Sequence, residues 1–157
     1  MRAARAALLL ALALGPAPAA AEPSAPAIEP RRQPVPATSA DTEYDRGVRA
    51  RVAKDWKTAE AAFRRAIALR AGFPDAWNEL GFALRHQGRY AESVQAYDEA
   101  LRLRPEFPEA LEYLGEAYVK MRRLDDARRI LDRLRALDGV RARELSEEIA
   151  KAPTPAR

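Results

Sequence analysis

Small and aromatic residues recur along this chain at a fixed interval of 34 residues, and this recurrence limits the possible folds more than any other feature. Gly47, Gly81 and Gly115 keep the interval in all three units. Four further sets keep it too: Trp56, Tyr90 and Leu124; Ala59, Ser93 and Ala127; Phe63, Tyr97 and Leu131; Ala66, Ala100 and Leu134. A repeat of this length, punctuated by glycine and proline, is typical of stacked helical hairpins. The sequence therefore predicts an all-α interaction module.

The central unit, residues 74–107, has the pattern of two amphipathic helices separated by Gly88. Apolar residues fall at i, i+3, i+4 and i+7 of the first helix and recur on one stripe of the second. Those residues are Trp77, Leu80, Gly81 and Leu84, then Ser93, Tyr97, Ala100 and Leu101. Glycine in a helix interior costs roughly 1 kcal/mol relative to alanine. Its presence at position 81 therefore predicts a close crossing of the two helices, with aromatic rings filling the space beside it.

This unit resembles the tetratricopeptide repeat, through the motif Trp77-x2-Leu80-Gly81-x2-Leu84, Ser93-x3-Tyr97 and Pro105. Leu84 and Ser93 stand where that family usually has tyrosine and alanine, and both keep the size class. The resemblance implies a right-handed superhelical stack of antiparallel helix pairs, made of three repeats and a C-terminal capping helix. The positions that define the repeats are Gly47, Phe63, Trp77, Leu80, Gly81, Tyr90, Tyr97, Ala100, Pro105, Leu114 and Gly115.

The repeats are predicted at residues 40–73, 74–107 and 108–139, with a capping helix at 140–151 and a frayed tail at 152–157. The capping helix is expected to cover the last apolar face with Val140, Leu145 and Ile149. The outer units depart from the central pattern. Glu43 and Arg46 replace apolar residues in the first unit, which suits a terminal repeat that no neighbour covers. Arg122 replaces Gly88 in the third unit, so that turn is made without glycine.

The first 21 residues have the pattern of a secretory signal peptide. Arg2 and Arg5 precede an apolar run over residues 6–14, and small residues ending at Ala21 offer a cleavage site, with a weaker one at 17–19. A retained membrane anchor is the alternative, but about nine strongly apolar residues fall short of the roughly 20 that span a bilayer. The sequence thus predicts export to the periplasm, or secretion. A disordered, Pro/Ala-rich linker is predicted at residues 22–39, serving as a tether or, more simply, as an unselected spacer.

Composition argues against several classes of function. The chain has no cysteine and one histidine, so a disulfide framework, a thiol nucleophile or a His-rich metal cluster is not expected. The net charge of +4 falls to near +2 once the two leader arginines are removed, which is weak evidence for nucleic-acid binding. P-loop, GxGxxG and HExxH motifs are absent, and His86 has no partner histidine. We therefore expect no enzyme, no catalytic residue, no cofactor and no metal.

The candidate binding residues lie on the outer stripe of each unit's first helix. At about 100° per residue this stripe is opposite the apolar one. In proteins similar to this one the outer stripe lines a concave groove that holds an extended peptide or a partner helix, and the resemblance implies the same use here. The candidate residues are Tyr44, Asp45, Val48, Asn78, Glu79, Phe82, Glu112, Tyr113 and Glu116.

The stripe also predicts the chemistry of the partner. It holds seven acids against three strong bases, and aromatic residues lie among them, so the partner segment is expected to be basic with one or two apolar anchors. Two alternatives stay open. Acids in the first turn of a helix favour its dipole by roughly 0.3 to 1 kcal/mol, and the aromatic residues could simply pack between neighbouring first helices.

Chaperone-binding members of the family hold a C-terminal carboxylate with lysine, asparagine and arginine on this stripe. Here those positions hold Tyr44, Val48, Glu79, Glu109 and Tyr113, so such a ligand is not expected. The sequence predicts an exported, non-enzymatic adaptor for a peptide or protein segment, and the alternative is a self-assembling structural scaffold. A second possible binding surface is formed by the arginine-rich second helices, around Arg64, Arg65, Arg128 and Arg129.

Overall fold

Caps and prolines set the points at which the helices begin. The computed structural model describes residues 38–153, which form seven α-helices and no strand. The helices are α1 (Ala40–Val52), α2 (Trp56–Leu69), α3 (Pro74–His86), α4 (Tyr90–Leu103), α5 (Pro108–Lys120), α6 (Leu124–Arg135) and α7 (Gly139–Lys151). The side chains of Ser39, Asp55 and Asp138 cap α1, α2 and α7, while α3 and α5 each start at a proline.

The helices pack as three successive pairs, α1 with α2, α3 with α4 and α5 with α6, and α7 packs on the last pair. The all-α stack of three helix pairs and a capping helix predicted from the sequence is therefore confirmed. The first two pairs cross at a glycine. The ring of Phe63 lies against Gly47, and the ring of Tyr97 lies against Gly81. Trp77 links the two apolar clusters of the stack because it packs against both.

The third pair is built differently from the first two. The space beside Gly115 is filled by Leu145 of α7, not by a residue of its own second helix α6. Leu145 is buried, with 1% of its surface exposed, and Ile149 is half-buried. The expectation that Val140 would also face inward is wrong, because Val140 is 56% exposed and Ala142 takes the buried position.

Two features of the outer units differ in detail from the sequence analysis. The polar first face was expected to be uncovered, yet Glu43 is only 7% exposed and lines a cavity of about 360 Å³ beside Ala68 and Leu69 of α2. The aliphatic stem of a glutamate can cover apolar neighbours in this way, much as other long side chains do. The turn after α5 is made without glycine, as predicted, with Arg122 at φ 62°.

The signal peptide and most of the linker predicted at the N-terminus fall in residues 1–37, and the end of the tail falls in residues 154–157; both lie outside the described residues. Within residues 38–153, none of the seven helices is both long enough and apolar enough to cross a bilayer.

Candidate partner-binding face

Helices α1, α3 and α5 lie next to one another and form one surface, the first-helix face, that carries the candidate residues. Asp45 is exposed, and six of the others are half-buried: Tyr44, Val48, Glu79, Phe82, Tyr113 and Glu116. Asn78 and Glu112 are buried, with 3% and 5% of their surfaces exposed. A partner could therefore reach seven of the nine residues without displacing a helix.

Aromatic rings gather at the centre of this face in a set we call the central aromatic cluster, made of Trp56, Phe82, His86 and Tyr113. Phe82 meets Tyr113 edge to face, with 5.2 Å between the ring centroids. His86 stacks on Trp56 at 4.3 Å and lies 4.4 Å from Phe82. Tyr44 stands apart from the cluster, because its neighbours are Phe63 and Phe73. Sequence reasoning had set aside His86 as solvated, and had placed Trp56 only in the repeat pattern.

Two arginines flank the central aromatic cluster. The guanidinium carbons of Arg51 and Arg85 lie 5.5 and 5.4 Å from the centroid of Phe82, within the range of cation–π attraction. Each arginine also pairs with a carboxylate of the neighbouring first helix, Arg51 with Glu79 at 3.0 Å and Arg85 with Glu116. Phe82 thus lies between two cations whose charges are already partly offset.

A second set of arginines neutralises the acids at the start of the first helices. Arg70, which follows α2, pairs with Asp41, and Arg104, which follows α4, pairs with Asp75 at 2.7 Å. The next position at the same interval is Asp138, which cannot supply a cation, and Arg141 of α7 pairs instead with two acids of α5, Glu109 and Glu112. The pairing of Arg70 and Arg104 could have been found from the 34-residue spacing, since Asp41 and Asp75 share it.

These pairs change the expected charge of the face. Of the seven acids on the outer stripe, six have an arginine partner within 4 Å: Asp41, Asp75, Glu79, Glu109, Glu112 and Glu116. In the described part of the chain, Asp45 alone of the seven has no such partner. The acidic surplus counted from the sequence is therefore largely offset by arginines that the stripe itself does not contain.

Burial dominates the electrostatics of the face. It raises the pKa of Glu79 and of Glu116 above 4.5, and the nearby arginines Arg51 and Arg85 only partly oppose it. Burial, followed by the charge of Glu79, raises the pKa of Tyr44 to about 12. Burial also lowers the pKa of His86, with Arg85 and Lys54 acting in the same direction. The carboxylates of this face thus carry their charge at a cost in desolvation.

Several polar atoms of the face are buried without a hydrogen bond from any described residue. They are Arg51 Nε, Asn78 Oδ1, Glu79 Oε2 and Arg85 Nε. Arg51 Nε lies 3.0 Å from Glu79 Oε2, so this pair attracts electrostatically although its angles do not make a hydrogen bond. Buried polar atoms that lack hydrogen bonds are uncommon in folded proteins and call for an explanation. In residues 38–153, no group of three or more His, Cys, Asp or Glu residues could hold a metal ion.

Comparison with known proteins places this arrangement among helical repeats. Two family models described as tetratricopeptide repeats match residues 44–108 and 84–147, which together span 44–147. A search of curated protein sequences finds no significant match.

Solved structures share the fold. The tetratricopeptide repeat domain of Arabidopsis OM64 superposes with a TM-score of 0.69 at 16% identity, covering 72% of this chain and 95% of that domain. The first such domain of Spaghetti (RPAP3), bound to the HSP90 peptide SRMEEVD, has a TM-score of 0.66 at 16% identity and covers 72% and 94%. The crystal structure of MamA has a TM-score of 0.59 at 28% identity and covers 73% of this chain and 62% of MamA.

Proposed function

Because the chain belongs to the tetratricopeptide repeat family, we propose that it is a non-enzymatic adaptor that binds a segment of another protein on its first-helix face. One observation carries this proposal: a cluster of partly exposed aromatic rings lies at the centre of the face, between two arginines whose Nε atoms are buried without hydrogen bonds. Aromatic and arginine side chains dominate binding energy at protein interfaces. The RPAP3 domain, bound to a peptide, is an example of the same fold in this role.

The partner we propose is basic with one or two apolar anchors. Phe82 and Tyr113 would receive the anchors, and Asp45 would attract the basic residue, because its exposed carboxylate has no cation within 4 Å in residues 38–153. The HSP90 peptide bound by RPAP3 ends in Glu-Glu-Val-Asp and is acidic. Glu79 and Glu109 stand here at positions where chaperone-binding members have basic or amide side chains, so a ligand of the opposite charge suits this face.

We further propose that the adaptor acts outside the cytoplasm, in the periplasm of a bacterium. The support is in the sequence: two arginines, a short apolar run and small residues ending at Ala21 form a cleavable leader. The intact mass of the protein recovered from a periplasmic fraction tests this. A mature chain beginning near Glu22 is expected, and a chain that still carries residues 1–21 would contradict it.

The binding proposal is tested by capture with matched variants. Wild-type protein, Phe82→Ala and Leu69→Ala are immobilised and exposed to the same extract; Leu69 is also a large apolar residue, 54% exposed, but lies on α2. A genuine partner is retained by wild type and Leu69→Ala and lost by Phe82→Ala. Its binding segment is then mapped with synthetic peptides by calorimetry. A partner retained equally by all three proteins would place binding elsewhere.

A second candidate function, a self-assembling scaffold, is favoured by the C-terminal end of the stack. There Leu137 and Val140 are 39% and 56% exposed, next to an open cleft of about 800 Å³ between α6 and α7. Exposed apolar residues beside such a cleft could seat a second copy. Sedimentation velocity over a concentration series separates the two functions, because an adaptor stays monomeric and a scaffold grows in mass with concentration.

A further inference from the structure

All four lysines of the chain lie along one edge of the helix stack. Lys54 and Lys57 flank the turn between α1 and α2, Lys120 ends α5, and Lys151 ends α7. The first helices of the three pairs run in the same direction, and α7 returns antiparallel to α6, so all these points fall where first helices end. A cavity of about 260 Å³ lined by Lys120, Arg122 and Lys151 shows that the ends of α5 and α7 meet there. We call the set Lys54, Lys57, Lys120, Arg122 and Lys151 the lysine edge.

The cations of the lysine edge are largely free. All five are exposed. Lys151 lies 3.6 and 3.7 Å from two glutamates of its own helix, whereas the other four have no carboxylate within 4 Å among residues 38–153. Arginines make almost all the other ion pairs, as expected of a planar group that binds carboxylates bidentately. Lysine, a hydrated point charge on a flexible stem, is placed where a cation is left unpaired.

Local helix preferences do not account for three of these cations. Lys54 and Arg122 have φ angles of 58° and 62°, in the left-handed region where the central unit has Gly88 at 76°. A side chain in this region is strained, and glycine would avoid the strain. Lys57 is the second residue of α2, and the helix dipole disfavours a cation in the first turn. Only Lys120 and Lys151, in last turns, stand where the dipole favours a positive charge.

We propose that the lysine edge docks the protein onto the surface of an anionic lipid bilayer. The cations extend from the first turn of the stack to the end of α7, which suits a broad anionic surface better than a short acidic peptide. Each lysine or arginine close to an anionic leaflet adds a similar increment of attraction. Val52, 72% exposed at the end of α1, adds an apolar contact beside Lys54.

Other charges at this edge only partly oppose the attraction. The carboxylate of Asp55 accepts a hydrogen bond from the Thr58 backbone N–H, and Arg89 in the middle turn is engaged by Glu60 and Glu92. The proposal is independent of the first-helix face, so a protein partner and a membrane could be held at once.

The test is sedimentation of the full chain with vesicles of phosphatidylcholine alone or mixed with phosphatidylglycerol. The informative variant is Lys54→Gly with Arg122→Gly, because glycine suits both left-handed positions and the fold should be kept or stabilised. The control is Arg65→Gln with Arg143→Gln, which removes the same charge from exposed arginines away from this edge. Residues 1–37 are the same in every protein, so differences between variants report the edge.

We expect wild type and control to bind the anionic vesicles, with affinities within about twofold of each other, and to release them as salt is raised. The glycine pair should bind about tenfold more weakly while its thermal midpoint stays the same or rises. Equal binding to neutral vesicles, retained binding by the glycine pair, or an equal loss in the control would each overturn the proposal. So would saturable binding of a polyglutamate peptide without any binding to the anionic vesicles, which would identify an acidic protein as the partner.

Discussion

Tyr97 places its ring in the space that Gly81 leaves on α3, so that a Cβ atom at position 81 would lie 2.6 Å from Cε1 of Tyr97. Real Cβ contacts are not that short, and Tyr97 cannot retreat easily because it is fully buried. The absence of a side chain at Gly81 is therefore what allows α3 and α4 to cross closely.

The first prediction compares Gly81→Leu with Gly88→Leu. Gly88 has open space around it, so leucine there costs only the strain of its positive φ, roughly 1 to 2 kcal/mol. Leucine at position 81 overpacks the crossing and should cost about 3 kcal/mol or more in unfolding free energy. Thermal and urea melts of the two variants check the order, and the reverse order would mean that the α3–α4 crossing can widen.

The second prediction concerns the capping helix. Leu145→Ala should lower the unfolding free energy by about 2 to 5 kcal/mol, because Leu145 is buried against Gly115. Val140→Ala, on the same helix but 56% exposed, should change it by about 0.5 kcal/mol or less. Hydrogen exchange should then be faster throughout α7 in the first variant only. Similar effects of the two changes would show that α7 does not pack through Leu145.

The spacing of 34 residues was enough to predict the helix pairs and the crossing at Gly81, because a strict repeat forces each unit to use the same contacts. It could not predict that Leu145 fills the space beside Gly115. Leu131 holds the expected register, and which of the two residues fills that space depends on the angle at which α7 packs on α5. The sequence left this angle open.

Charge on the first-helix face was harder to predict for a similar reason. Counting the stripe alone gave an acidic surface, but Arg104 and Arg141 come from other helices and pair with Asp75 and Glu112. Ion pairs between units depend on three-dimensional neighbours that a helical wheel does not contain. The burial of Glu43 was missed because a charged residue at an edge position is normally exposed.

The third prediction is a pH dependence of opposite sign at two glutamates. The pKa of Glu79 is raised, chiefly by burial, so the folded protein binds more protons here than the unfolded chain above pH 4.5. Relative to Glu79→Gln, wild type should therefore become more stable as the pH falls from about 7 to about 4.5.

Glu60 provides the comparison. Burial alone would raise its pKa, but hydrogen bonds from Gln87, Arg89 and Arg64 lower it below 4.5. Relative to Glu60→Gln, wild type should keep its advantage above pH 4.5 and lose it as the pH falls through the lowered value. Urea unfolding across this range measures both differences. Slopes of the same sign at the two positions would contradict the assignment of burial at Glu79 and hydrogen bonding at Glu60.

The last prediction separates aromatic from charged contributions to partner binding. Reversing Glu79 or Glu112 to lysine would be a poor test, because the new cation would face Arg51 or Arg141 and destabilise the fold. Asp45→Lys avoids this, since Asp45 is exposed and has no cation within 4 Å in the described chain. Charge attraction across an exposed face is screened over about 8 Å at physiological salt, so it affects the association rate and the choice of partner more than the final affinity. Asp45→Lys should therefore slow association with the captured partner severalfold at low salt and have little effect at high salt.

Phe82→Ala should behave differently, because it removes the ring at the centre of the face. The loss should be about tenfold or more at both salt concentrations, as for other aromatic residues at the centre of interfaces, and it should appear in the dissociation rate. Surface plasmon resonance at two salt concentrations gives both rates, and circular dichroism checks that each variant is folded. If Phe82→Ala bound as tightly as wild type at both concentrations, the first-helix face would not be the binding site. The arginine-rich second helices around Arg64, Arg65, Arg128 and Arg129 would then be the surface to mutate.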